Sequence, residues 1–242
     1  MAKSTPLEIR GLNKSFKDND VLKNVSLKVE PGQIFGLIGL NGVGKTTMIK
    51  IILGLLTQDA GTVKLFGEET SNNEARKKLS FLPEKFYPSQ FLKGREFLEL
   101  TCSYYSVAYD KAEAIRLARL LGLKPEVLDN RVSSYSKGMG QKLGLLSSML
   151  VGAPFLMLDE PMSGLDPSAR IALKDALSDY VKANKKNTIF FSSHILSDID
   201  EICDNIAILH DSKIIYQGKP AEFKKAQKEK SLERAFLKAI EG

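Results

Sequence analysis

A chain of 242 residues, 43% of them apolar, can bury a substantial core and sits at the upper end of what one α/β domain spans. Its two cysteines, Cys102 and Cys203, stand far apart with neither a CxxC nor a metal-like spacing, which argues against a disulfide framework or a zinc site and fits inert thiols in a reducing cytosol. The net charge of +6 invites an anionic partner, but the basic runs KANKKN (182–187) and KKAQKEK (224–230) are short and lack interleaved aromatics, so they read as solvated helix faces and no nucleic acid is expected.

The amino-terminal MAKSTPLEIR has no apolar segment behind its lysine, so no secretory signal is expected. Apolar runs bounded by Gly, Pro or Asp then alternate with helix-period segments, the pattern of a mostly parallel sheet with helices packed on it. The strands expected are PLEIRGL, NVSLKV, QIFGLIGL, GTVKLFG, FLMLD, TIFFSS, NIAIL and KIIYQG. The first, second and last alternate in polarity, which predicts an antiparallel edge region.

Between Pro88 and Val151 the periodicity is helical throughout, so this block reads as an all-helical insertion. Within it, KAEAIRLARLLG carries Ile115, Ala118 and Leu121 on one face and stops at Gly122. The uncharged stretch Leu143 to Leu158 is interrupted by Gly152 and Pro154 and falls short of the roughly 20 residues of a membrane span; it predicts a buried helix followed by a buried strand. Further on, Asp166 is placed to cap a helix with Pro167 at its first position and Ala169, Leu173, Ala176 and Tyr180 along one face. The end of the chain, Pro220 to Gly242, is rich in Lys and Glu with Phe223, Leu232, Phe236, Leu237 and Ile240 interspersed, an amphipathic tail for the surface.

The chemistry concentrates at strand ends. GLIGLNGVGKTT (36–47) contains G-x-x-x-x-G-K-[ST] as Gly39, Gly44, Lys45 and Thr46, with an apolar strand before it and the helical TTMIKIILGLL after it. Glycine lets successive N–H groups turn inward on phosphate oxygens, and the helix adds its positive end. Asn41, Gly42 and Thr47 belong to the same cradle, Lys45 reaches the terminal phosphates, and the Thr46 hydroxyl can ligate Mg²⁺. In FLMLDEP (155–161) an apolar strand delivers Asp159 to its carboxyl end, suited to a magnesium contact, and Glu160 follows. A carboxylate one residue beyond is placed to orient and deprotonate a water attacking the γ phosphate. His194 follows TIFFSS in the same manner and can donate toward that phosphate. His210 also follows a strand, but reads as a turn residue.

The order of these elements resembles the ATP-binding cassette (ABC) ATPases over nearly the whole chain. Beyond the P-loop and LMLDEP, the resemblance rests on SYSKGMGQ (134–141), SGLDP (163–167) and SSH (192–194). It implies a single domain: an α/β P-loop core over 1–87 and 152–219, with its mostly parallel sheet and antiparallel edge region, a helical subdomain at 88–151, and a helical tail at 220–242. In that family the signature of one subunit closes over the nucleotide of another, so Ser136 and Gly138, at the start of a helix, would form a second anion site. Asp166 would lie across the seam of a two-fold dimer of identical or related ATPases, and Phe16 in LNKSF would stack on adenine. Lys137 stands where the first of two consecutive glycines is usual, and Glu84, in FLPE, where glutamine usually follows the strand that opens the helical insertion. A carboxylate there can still ligate Mg²⁺ but cannot donate a hydrogen bond.

The resemblance implies ATP and Mg²⁺ as ligands, Glu160, His194 and Lys45 in catalysis, and Thr46, Asp159 and Glu84 at the metal. It also implies a separate transmembrane permease that holds the chain at the inner face of the membrane. FLPEKF, SSHILSDIDEICDNIAIL and SLERAFLKAI are similar to bacterial export ATPases serving drug, lantibiotic, lipid or polysaccharide efflux. The rival to a transport engine is a soluble mechanical ATPase of the same fold acting on nucleic acid or the ribosome; the long coiled coil or second cassette of such relatives is missing here. A phosphotransferase or GTPase switch would lack the signature and the paired acids.

Overall fold

The computed structural model describes residues 4–17, 19–184 and 187–241. The first three residues, Asp18, Gly242, and Lys185 and Lys186 of the KANKKN run lie outside that range.

Two sheets organise the fold. One is antiparallel and holds β1 (Leu7–Phe16), β2 (Asn19–Val29), β4 (Ala60–Leu65) and the short β5 (Glu68–Glu69) in the order β2-β1-β4-β5. The other holds β3 (Ile34–Ile38), β6 (Leu79–Leu82), β7 (Phe155–Asp159), β8 (Thr188–Ser193), β9 (Asn205–His210) and β10 (Lys213–Gly218) in the order β10-β9-β3-β8-β7-β6. All its pairings are parallel except that of β10 with β9. The antiparallel region foreseen for three strands is therefore two separate features: β1 and β2 join β4 in their own sheet, and β10 closes one edge of the parallel one.

The central strands are apolar because both of their faces are covered. Ile34, Ile38, Leu156, Leu158, Ile189 and Phe191 enter one core, with the helices that follow residue 94. The alternate residues Phe35, Leu37, Phe155, Met157 and Phe190 enter the other, with the antiparallel sheet and α1 (Lys45–Ile52). Phe35 and Phe190 stack there at 5.8 Å. β6 was not among the strands read from the residues; its LSFL is short, and its identity as a strand comes from pairing with β7.

The remaining helices are α2 (Asn73–Arg76), α3 (Gly94–Tyr104), α4 (Lys111–Leu120), α5 (Lys137–Leu150), α6 (Pro167–Ala183), α7 (Leu196–Ile202), α8 (Pro220–Gln227) and α9 (Leu232–Glu241). Between residues 88 and 151 the described elements are α3, α4, α5 and two 3₁₀ turns, with one isolated bridge from Lys93 to Arg131. The buried face of α4 is Ala114, Leu117, Ala118 and Leu121; Ile115 is only half-buried. Gly122 ends that helix at φ 64°, as expected of a glycine stop. Asp166 caps α6 by accepting from the Ala169 N–H at 2.9 Å, with Pro167 at the first position. In the tail, Phe223, Leu232 and Phe236 are buried while Leu237 is exposed. Among the described residues no helix is long and apolar enough to cross a membrane.

Candidate functional site

The parallel register fixes the site. Ile38 at the end of β3 pairs with Ser193, and Ser192 pairs with Asp159, so the loop after β3, the acids after β7 and the histidine after β8 emerge side by side at the carboxyl edge of the sheet.

The loop from β3 into α1 is held by steric exclusion. A Cβ on Gly39 would stand 2.7 Å from the Leu209 carbonyl oxygen and from Val43 Cγ1, and Gly44 sits at φ 113° with Val21 Cγ1 2.9 Å from where a Cβ would be. Gly42 also has a positive φ of 81°, but open space around it. No side chain caps α1, so its first N–H groups are left for an anion. Lys45 is buried and folds back on its own loop, its Nζ donating to the Gly39 carbonyl at 2.6 Å and to that of Leu40 at 3.2 Å. Burial pushes the Lys45 amine down, while the carboxylates of Glu160, Asp159 and Glu84 pull it back up.

The two acids are buried as well. Asp159 Oδ1 accepts from Ser192 Oγ at 2.6 Å. Burial raises the Asp159 carboxyl above its ordinary range and the neighbouring Glu160 and Glu84 charges add to that, against the lowering effects of Ser192 and Lys45. Glu160 is one of the few non-glycine residues with a left-handed backbone, at φ 49°. Its Oε2 lies 2.8 Å from His194 Nδ1, and its Oε1, 3.7 Å from Lys45 Nζ, has no hydrogen-bond partner among the described residues. The His194 ring remains about half exposed.

A cleft of about 390 Å³ opens over this cluster. Asn41, Gly42, Gly44, Lys45, Thr46, Thr47, Glu84, Asp159, Glu160 and His194 all line it, which brings together most of the residues picked out from the sequence. Gly39 lies beneath, as the acceptor for Lys45. Phe16 is outside the lining and 47% exposed, with Lys14 Nζ 5.3 Å above its ring; it is no core aromatic. His210 is outside too, near Asp211 at the β9–β10 turn. Leu40 and Lys85 also line the cleft without having been picked out, and Ser192, quoted only within SSH, contacts Asp159 through strand register.

Ser136 and Gly138 stand elsewhere. Ser136 caps α5 by accepting from the Met139 N–H at 3.2 Å. It lines a second cleft of about 390 Å³ that shares Glu84 and Lys85 with the first. A Cβ on Gly138 would meet nothing within 4 Å. Lys137 is exposed, with its Nζ 3.6 Å from where a Cβ on Gly164 would be. Asp166 is exposed, and hydrogen bonds from Ser168 and Ala169 hold its carboxyl below the ordinary range.

Among the described residues no group of three or more His, Cys, Asp and Glu side chains is placed to hold a metal ion. Thr46, Asp159 and Glu84 would supply at most half of an octahedral shell and leave the rest to phosphate oxygens and water. That suits Mg²⁺ arriving with a nucleotide and not a resident ion.

A family model described as ABC transporter matches residues 22–163. An uncharacterized ABC transporter ATP-binding protein of Synechocystis sp. is 37% identical over 204 residues, which cover 83% of this chain and 57% of that one. The chain thus spans somewhat over half the length of that relative. The ABC-type transporter ATP-binding protein EcsA of Bacillus subtilis is 33% identical over 239 residues, 96% of this chain and 95% of EcsA. A solved structure described as the ATP binding subunit of an ABC transporter superposes with a TM-score of 0.87 at 30% identity, covering 97% of this chain and 99% of that one.

Proposed function

The chain belongs to the ABC transporter ATP-binding family, and from that premise we propose that it is the ATP-hydrolysing subunit of an exporter. It would close with a second such subunit over two ATP molecules and drive a separate transmembrane permease from the inner face of the membrane. The observation that carries the hydrolytic part is the buried Glu160 carboxylate, set between Lys45 and His194 with one oxygen lacking a hydrogen-bond partner among the described residues. An acceptor of that kind in a phosphate cleft is what a water nucleophile requires.

On this reading, Lys45 leaves the Gly39 and Leu40 carbonyls for the β and γ phosphates, and the loop N–H groups from Asn41 to Thr47 cradle them. Glu160 Oε1 takes the proton of the attacking water, while His194, with both ring nitrogens protonated, donates from Nδ1 to Oε2 and from Nε2 to the γ phosphate. Bound Mg²⁺, held by Thr46, Asp159 and Glu84, would offset phosphate charge. Phe16, exposed at the end of β1, offers a face for adenine. Ser136 and Gly138 face the nucleotide of the other subunit, with Asp166 at the seam. Residues 88–151 act as the helical subdomain that carries this signature, on a core of 1–87 and 152–219 with 220–242 as tail. Export is supported by the likeness of FLPEKF and SLERAFLKAI to efflux ATPases.

The test is Glu160→Gln. Hydrolysis by the purified protein falls by about 10² or more, while ATP converts monomer to dimer on size exclusion with light scattering. The same variant, tagged and used as bait in solubilised native membranes, retains one polytopic membrane protein in an ATP-dependent manner. Hydrolysis at the wild-type rate would end the catalytic assignment; ATP-dependent capture of nucleic acid or ribosome instead would replace the transporter reading.

A further inference from the structure

Asp159 and Glu160 are consecutive, and in a continuing strand consecutive side chains point to opposite faces. Both nevertheless line the same cleft. The reversal comes from the left-handed backbone of Glu160 at φ 49°, a conformation that a non-glycine residue keeps only where its surroundings impose it. The imposing group is on the neighbouring strand. The Glu160 N–H donates to the Ser192 carbonyl at 3.2 Å and to Ser192 Oγ at 3.0 Å. Because Oγ accepts there, its own proton is free to go to Asp159 Oδ1, at 2.6 Å. The side chain is fully buried, in a strand whose preceding residues Ile189, Phe190 and Phe191 are apolar, so a hydroxyl at this place is tolerated only because both of its hydrogen-bonding capacities are used.

We propose that Ser192 is a positioning residue for hydrolysis: its single hydroxyl ties the Glu160 backbone to the Asp159 carboxylate and thereby sets the two acids in register over one cleft. The inference rests on Glu160 as the water-orienting base. It assigns Ser192 no contact with nucleotide or water; it acts through its two neighbours. Ser193, next along the strand, is not part of this tie, since its Oγ accepts from the Ile195 N–H instead.

The experiment compares Ser192→Thr with Ser192→Val, two side chains of equal bulk that differ by the hydroxyl. The Thr variant is expected to keep kcat within about threefold of wild type and the Val variant to lose about 10- to 100-fold, the scale of a displaced catalytic group. Binding of a fluorescent ATP analogue supplies a readout independent of turnover. The Val variant keeps wild-type affinity in EDTA and loses most of the added affinity that Mg²⁺ gives the wild type. Equal kcat for Val and Thr overturns the proposal. So does a Val variant whose kcat and Mg²⁺-free affinity fall together, which is the mark of a merely structural role. Should the added bulk prevent folding of both, Ser192→Ala against wild type carries the same expectations. Glu160→Gln, assayed alongside, separates the failures: activity in that variant overturns the premise, whereas its inactivity beside a fully active Ser192→Val overturns this inference alone.

Discussion

Two glycine-containing turns of the molecule are built in opposite ways. In the loop after β3, Gly39 and Gly44 have no room for a Cβ, Lys45 is tied to two carbonyls of its own loop, and the acids beside it are buried against Ser192 and His194. At the start of α5, Gly138 looks onto open space, Ser136 is exposed, and Lys137 reaches only over Gly164. The first turn is shaped by the core of its own chain. The second is a surface whose glycine has no internal reason to lack a side chain, which supports an external partner approaching it closely. A site finished on one side and open on the other is what two copies, each completing the other, would present.

Gly44→Ala tests the internal side and should have the largest effect of the three variants that bear on this contrast. A Cβ at φ 113° strains the backbone and meets Val21 Cγ1 at 2.9 Å and the Val21 carbonyl at 3.0 Å. We expect a loss of about 2 kcal/mol or more in urea unfolding, together with loss of nucleotide binding. If unfolding is unchanged and only binding falls, the loop is shaped for ligand and not by packing, and the contrast weakens.

Asp159→Asn should have a smaller effect of the opposite sign. Burial raises the Asp159 carboxyl in the folded state, so the folded protein holds that proton more tightly than the unfolded chain. The resulting destabilisation is absent below the ordinary value of 3.8 and grows as pH rises through the folded value. The neutral variant should therefore be more stable than wild type near pH 7, by about 1 kcal/mol, with the difference shrinking as pH falls toward 4. Melting temperatures across that range read it directly. Stabilisation of the variant by nucleotide should lose its Mg²⁺ dependence. A variant less stable than wild type at neutral pH would mean that Ser192 and Lys45 fully compensate the burial.

What the sequence made legible follows the same division. The phosphate loop, the Asp159–Glu160 pair and the Asp166 cap each carry a pattern within a few residues, so spacing and turn chemistry disclosed their presence, though not the distant residues that shape the first two. The strand β6 and the Ser192 tie to Asp159 exist only through pairing between distant segments, and a four-residue LSFL or a serine at a strand end carries no local sign of it. The antiparallel sheet was half visible for that reason: alternation in β1 and β2 showed, but the partnership of β1 with β4 did not. Ile115 misled because helical spacing names a face without saying which neighbours cover it; Ala114, Leu117 and Ala118 enter the core and Ile115 does not. Phe16 could be a core aromatic or a free one on sequence grounds, and only its exposure decides.

Gly138→Ala probes the open side with the smallest change. The residue lies in the first turn of α5, after the Ser136 cap, and the added methyl touches nothing within 4 Å. Replacing glycine by alanine in a helix restricts the unfolded chain, so the isolated protein should be unchanged or more stable by about 0.5 kcal/mol. Nucleotide affinity of the monomer should match wild type, because Gly138 is not among the residues that line the cleft over the phosphate loop. Introduced into the Glu160→Gln background, the same methyl should weaken the ATP-dependent dimer, read as a higher protein concentration for half-association in sedimentation. A loss of stability would show that the turn is packed after all. An undiminished dimer would mean that nothing approaches Gly138, and the open turn would then be an ordinary exposed helix start, leaving the nucleotide cleft to be completed from some other surface.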